Sequence, residues 1–162
     1  MTMHTEAAHF PDPQHDHRAC IDAGIEAAER ILQESAARFT PDRRQVLEIL
    51  LRRHEAVGAY DIIDSMDWGG RRRASSVVYR ALDFLAAHGL VHKLHSRNAF
   101  IACSHPDGGH GAQFLICTRC ERIAEIADRK VERGIIAAAR GAGFTVRKPM
   151  IEVEGLCPHC AG

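Results

Sequence analysis

The chain is 162 residues long, 46% hydrophobic, and carries 21 Lys and Arg against 21 Asp and Glu. That is enough apolar material for one ordinary domain or two small ones, and the balanced charge by itself identifies no partner. No apolar run reaches the roughly 18 residues of a membrane span, and residues 1–17 have no apolar core, so neither a span nor a secretory signal is expected and the chain reads as cytoplasmic. Six cysteines in such a chain point to metal or redox chemistry more than to structural disulfides.

Residues 1–17 are polar and hold His4, His9, His15 and His17; they read as a flexible tail, with stray metal binding as the rival reading. Ile21, Ile25, Ala28, Ile31, Leu32 and Ala36 recur at a helical period, predicting a helix over 21–37. Thr40-Pro41 supplies a cap and a first-turn proline for a second helix that runs through Val46, Leu47, Ile49, Leu50 and Leu51 to about Arg53. A short third helix is expected at Ala59–Met66 and a polar loop at 67–73. Ser75–His88 is the next strong helix, with Gly89 placed to end it. Two short apolar runs, 90–94 and 99–103, flank the turn Ser96-Arg97-Asn98 and predict a hairpin. Helices followed by a hairpin make a winged helix-turn-helix over 18–103. Residues 104–111, with Pro106 and three glycines, form a hinge. Beyond it, 112–162 reads as strand, strand, helix, strand: Phe114–Ile116, Ile123–Ile126, Arg129–Arg140 and Phe144–Val153. The fold class is therefore α+β, a winged helix followed by a small α/β domain.

Three constellations carry chemistry. Cys117-Thr-Arg-Cys120 and Cys157-Pro-His-Cys160 place two C-x2-C knuckles at the two ends of the α/β unit. Four thiolates at about 2.3 Å are a closed, structural zinc set; a pair of redox dithiols is the alternative. On the helix from Ser75, the residues Ser76, Tyr79, Arg80 and Asp83 share one arc, while Val78, Ala81, Leu82 and Leu85 take the other side. Arg reads guanine by a bidentate contact and Tyr meets a thymine methyl or a phosphate, so this is a candidate recognition helix. The run Arg71-Arg72-Arg73 before it, and the excess of 10 Lys and Arg over 7 Asp and Glu in residues 41–100, agree with a DNA partner. Lastly, His92 and Cys103 lie on the hairpin strands, His110 in the hinge and Glu125 on the second strand beyond it. Two imidazoles, a thiolate and a carboxylate make a complete tetrahedral zinc set.

The segments Ser76-Val-Val-Tyr-Arg-Ala-Leu82, Gly89-Leu-Val-His92-Lys93, Phe114-Leu-Ile-Cys-Thr-Arg-Cys120 and Gly155-Leu-Cys-Pro-His-Cys160 resemble the ferric uptake regulator (Fur) family, in its zinc uptake regulator (Zur) branch. The resemblance runs from about Ala36 to Cys160 with the motifs in the family's order. It implies a homodimer whose residues 112–162 dimerise, and which binds palindromic double-stranded operator DNA when metal is loaded. It further implies Tyr79 and Arg80 on the recognition helix, structural zinc at Cys117, Cys120, Cys157 and Cys160, and regulatory zinc at His92, Cys103, His110 and Glu125. That is two zinc ions per chain in a repressor of zinc uptake genes, with no catalytic role, membrane or small-molecule substrate. The segment His110-Gly-Ala-Gln-Phe-Leu-Ile stands where iron-sensing members carry His-His-Asp-His, and the Cys103 thiolate suits zinc better than iron(II) or manganese(II). The arginine triplet and the histidine-bearing tail depart from the family's pattern, and His105 is a further potential ligand. An iron, manganese or peroxide sensor of the same family remains an alternative. A zinc hydrolase or deaminase is the alternative from another class, opposed by the missing H-x-E motif and by a ligand set with no open position.

Overall fold

The computed structural model describes residues 10, 12, 14–107 and 111–162, and the chain divides between Asp107 and Gly108 into two units. Most of the expected tail, including His4 and His9, lies outside the described residues, as does His110 of the hinge.

The unit from Asp12 to Asp107 contains α1 (His17–Glu34), α2 (Pro41–Leu51), α3 (Ala59–Ser65), α4 (Ser75–Ala87) and the hairpin β1 (Val91–Leu94) and β2 (Ala99–Ala102). Helix α1 starts four residues before its apolar period because Asp16 caps it, accepting the Arg18 N–H at 2.8 Å. It stops short of Ala37 because Ala36 turns left-handed (φ 51°) and the Ala37 N–H bonds back to the Leu32 carbonyl at 2.8 Å. Thr40 caps α2 as expected, and Pro41 opens it. One core joins α1 to α4 and the hairpin: Ala28 and Leu32 from α1, Val46, Leu47 and Leu50 from α2, Ile62 from α3, and Val78, Leu82 and Leu85 from α4 are all buried. Buried Trp68 secures the loop before α4, its indole N–H donating to the Ile63 carbonyl at 3.0 Å. Strands β1 and β2 pair antiparallel, with His92 opposite Ile101. Val57 adds a one-residue bridge, exchanging backbone hydrogen bonds of 2.8 and 2.9 Å with Phe100. A single bridging residue has no periodicity, so the sequence carries no sign of it.

The second unit holds β3 (Ala112–Cys117), β4 (Ile123–Ile126), α5 (Arg129–Gly141), β5 (Met150–Gly155) and the short α6 (Pro158–Ala161). Its sheet has the order β4-β3-β5, with β3 antiparallel to β4 and parallel to β5. Strand β5 begins at Met150, not at Phe144. Gly143 (φ 74°) ends α5, the Phe144 N–H is used in closing that helix (2.9 Å to the Ala139 carbonyl), and Pro149 offers no donor to a ladder. Gly111 enters β3 tightly against this segment: a Cβ there would lie 2.8 Å from Pro149 Cγ and 3.3 Å from the Pro149 carbonyl oxygen. Asp128 caps α5 by accepting from the Lys130 N–H at 2.7 Å, yet no residue of α5 is buried.

Candidate metal centre and nucleic-acid interface

Cys117 is the last residue of β3, and Cys120 follows in a turn that Glu121 closes in the left-handed region (φ 61°). The parallel partner β5 runs to Gly155, and its exit places Cys157 as the cap of α6 with Cys160 within that helix. Thr118 is tied across the two strand ends, its N–H donating to the Gly155 carbonyl at 2.9 Å, and Arg119 donates to the Cys160 carbonyl at 2.8 Å. Register, turn and helix thus bring four sulfurs within 4.8 Å of one another. The Cys120 and Cys157 sulfurs are 3.7 Å apart, far beyond a disulfide but close to the ~3.8 Å edge of a tetrahedron with metal–sulfur bonds of about 2.3 Å. The Cys157 N–H points at the Cys117 sulfur from 3.4 Å. Amide donors, those of Cys120 and Cys157 foremost, hold the Cys117 thiol down at about 6, whereas burial and the neighbouring sulfurs push Cys160 up to about 12. At Cys120 the Arg122 amide pulls downward, but burial and the Cys117 and Cys157 sulfurs outweigh it and the thiol is raised. Four thiolates this close repel one another unless a cation neutralises them, which is the chemistry of a thiolate-bound divalent metal.

Of the other predicted ligands, His92 and Cys103 belong to the first unit and Glu125 to the second. In the first, His92 is buried on β1 and Cys103 follows β2, with its N–H held by the Leu90 carbonyl at 2.9 Å; an imidazole nitrogen and the thiol lie within 4.8 Å of each other. In the second, Glu125 is buried on β4 opposite Phe114.

On α4, Val78, Ala81, Leu82 and Leu85 are buried while Ser76, Tyr79, Arg80 and Asp83 are exposed, the two faces expected from the 100° step. Arg80 is steadied by a 3.2 Å hydrogen bond from its Nε to the Ser76 carbonyl. The arginine run divides. Arg71 donates to Asp42 (2.8 Å) and to the Trp68 carbonyl (3.2 Å), holding the Asp42 carboxyl below its usual range, and Arg73 pairs with Asp64 at 2.6 Å. Arg72 is exposed. The acidic partners lie 29 and 9 residues away in sequence, so a scan for basic runs does not find them. That scan also passes over Tyr60, which stands 78% exposed on α3.

The ferric uptake regulator family model matches residues 34–154. The zinc uptake regulation protein of Escherichia coli (strain K12) is 36% identical over 134 residues, covering 82% of this chain and 78% of that protein. The zinc uptake regulation protein of Mycobacterium tuberculosis is 26% identical over 132 residues, covering 80% of this chain and 98% of its own. Among solved structures, a zinc uptake regulator complexed with zinc and DNA is similar with a TM-score of 0.80 at 34% identity, covering 87% of this chain and 95% of that one. The holo form of XcZur gives a TM-score of 0.77 at 42% identity, covering 86% and 98%.

Proposed function

Because the chain belongs to the ferric uptake regulator family, we propose that it is a zinc-responsive transcriptional repressor, a cytoplasmic homodimer that binds palindromic operator DNA when zinc-loaded and represses zinc uptake genes. It is a regulator, not an enzyme. Each chain holds two zinc ions. One is structural, at Cys117, Cys120, Cys157 and Cys160, and joins the ends of β3 and β5. The other is regulatory, at His92, Cys103, His110 and Glu125, drawn from both sides of the 104–111 hinge. Zinc favours the one arrangement in which the dimer's two recognition helices meet successive major grooves, and so selects the DNA-competent state. Arg80 reads a guanine, Tyr79 a thymine methyl or phosphate, and Ser76 with Arg71, Arg72 and Arg73 contacts the backbone. For Arg71 and Arg73 this means exchanging a carboxylate for a phosphate.

The observation that carries zinc over iron is the Cys103 thiol beside the His92 imidazole, since soft sulfur favours zinc over iron(II) and manganese(II). Support for the homodimer comes from apolar side chains left uncovered in the second unit: Val131 and Ile135 on α5, Phe144, Val153 and Leu156. The test is operator binding across buffered free zinc, iron(II) and manganese(II), with the parent and with Cys103→Ser. Zinc is expected to restore binding to the parent but not to the variant, which keeps its fold and dimer. Restoration by iron(II) or manganese(II) in preference to zinc would replace this reading with another metal sensor of the family. A Cys103→Ser variant that still responds to zinc would move the switch elsewhere.

A further inference from the structure

His15 and His17 sit at the start of α1 and His54 in the turn after α2. Thirty-nine residues separate His15 from His54, yet within the first unit one ring nitrogen from each of the three imidazoles lies within 4.8 Å of the others. The His15 and His54 Nε2 atoms are 2.8 Å apart, and the same His15 nitrogen is 3.0 Å from the Cys20 sulfur, one turn into α1. The ring centroid of His15 lies 4.4 Å from those of both His17 and His54. His17 Nδ1 is out of solvent and has no hydrogen-bond partner among the described residues. A neutral imidazole carries one donor and one acceptor, so a close-packed trio converging on one point suits a shared cation better than a set of mutual hydrogen bonds. We propose that His15, His17 and His54 form a third zinc site that staples the first turn of α1 to the turn between α2 and α3, with the Cys20 thiol, in contact with His15 alone, as the nearest further donor.

Three imidazoles fill three of the four positions of tetrahedral zinc, and the fourth is open to water or to the Cys20 thiol turned in from beside His15. With metal–nitrogen bonds of 2.0–2.1 Å the nitrogens stand about 3.3 Å apart, so the pair at 2.8 Å needs to open by about half an ångström. Imidazole donors select zinc and its borderline neighbours over magnesium, calcium or manganese. No residue is shared with the four-cysteine set or with His92, Cys103, His110 and Glu125, so failure of this site leaves the regulatory reading untouched.

The experiment counts zinc in the reduced, full-length protein, isolated with its four-cysteine metal in place, after dialysis against buffered zinc. The parent is expected to take up one zinc per chain more than the double variant His17→Gln, His54→Gln. Equal stoichiometry in two folded proteins overturns the site. A second measurement needs no variant to fold: proton–nitrogen spectra of the imidazoles in the parent, in which zinc addition shifts the His15, His17 and His54 ring nitrogens together. Rings that do not respond to zinc overturn the site as well. Cys20→Ser is expected to weaken uptake at this site on the order of 10–100-fold, at least the cost of losing an outer-shell partner; unchanged affinity removes Cys20 from the ligand set.

Discussion

At the scale of single residues, neighbouring arginines differ in what holds them. Arg80 projects from the exposed face of α4, braced on the Ser76 carbonyl, where a guanidinium fork can meet one base edge. Arg80→Ala is expected to weaken operator binding by about 1–3 kcal/mol and relax sequence choice, while Arg72→Ala weakens every sequence alike and lowers the salt slope by about one; binding titrations on operator and random DNA at several salt concentrations separate the two. Arg71 is locked to Asp42, whose carboxyl it holds below the ordinary 3.8. A depressed folded value makes this pair stabilising above that pH, with the contribution lost as pH falls from about 3.8 through the lower folded value. Arg71→Ala should bring the Asp42 titration back up, read from its carboxyl resonance. Because the Arg71 side chain is 56% exposed, the accompanying loss of stability is small.

At the scale of elements, the parts with strong local signals are legible in the sequence and the parts made by distant neighbours are not. Thr40-Pro41, the two-faced helix from Ser75, the hairpin and both cysteine knuckles announce themselves through capping, the 3.6 and 2 residue periods and ligand spacing. The start of α1 escapes its apolar period because Asp16 extends the helix into polar sequence, and the start of β5 is masked because apolar residues from Phe144 mimic a strand that Pro149 delays. The Val57–Phe100 bridge and the Arg71–Asp42 and His15–His54 pairings join residues far apart in sequence, and no local pattern encodes such meetings. The same holds for Gly111, whose importance comes from Pro149. Gly111→Ala places a methyl 2.8 Å from a rigid ring, so it is expected to destabilise the second unit by about 1–3 kcal/mol, the usual cost of overpacking. Urea unfolding followed on that unit checks it.

At the scale of the whole molecule, α5 buries no residue and leaves Ile135 46% exposed, although its alternation of apolar and charged positions is that of a helix covered on one side. Ile135→Asp puts a charge into the proposed dimer face and is expected to shift sedimentation towards the monomer and to weaken binding to a two-half-site operator far more than to a single half-site. Unchanged sedimentation would place the dimer contact elsewhere.

The way the four sulfurs are collected also sets an order of events in time. Cys120 and Cys157 are 37 positions apart, and at about 5–20 residues per second a ribosome needs roughly 2–7 s to pass from one to the other. Throughout that interval the first knuckle exists without the second, and β3 without its parallel neighbour β5. The winged unit, with its core completed by Phe100, has all its parts well before then. Synthesis therefore delivers a finished DNA-reading module ahead of the part proposed to pair it with a second copy. A metal held by all four sulfurs can enter only once Cys160 has been made, so closure of the second unit, unlike that of the first, waits for the end of synthesis.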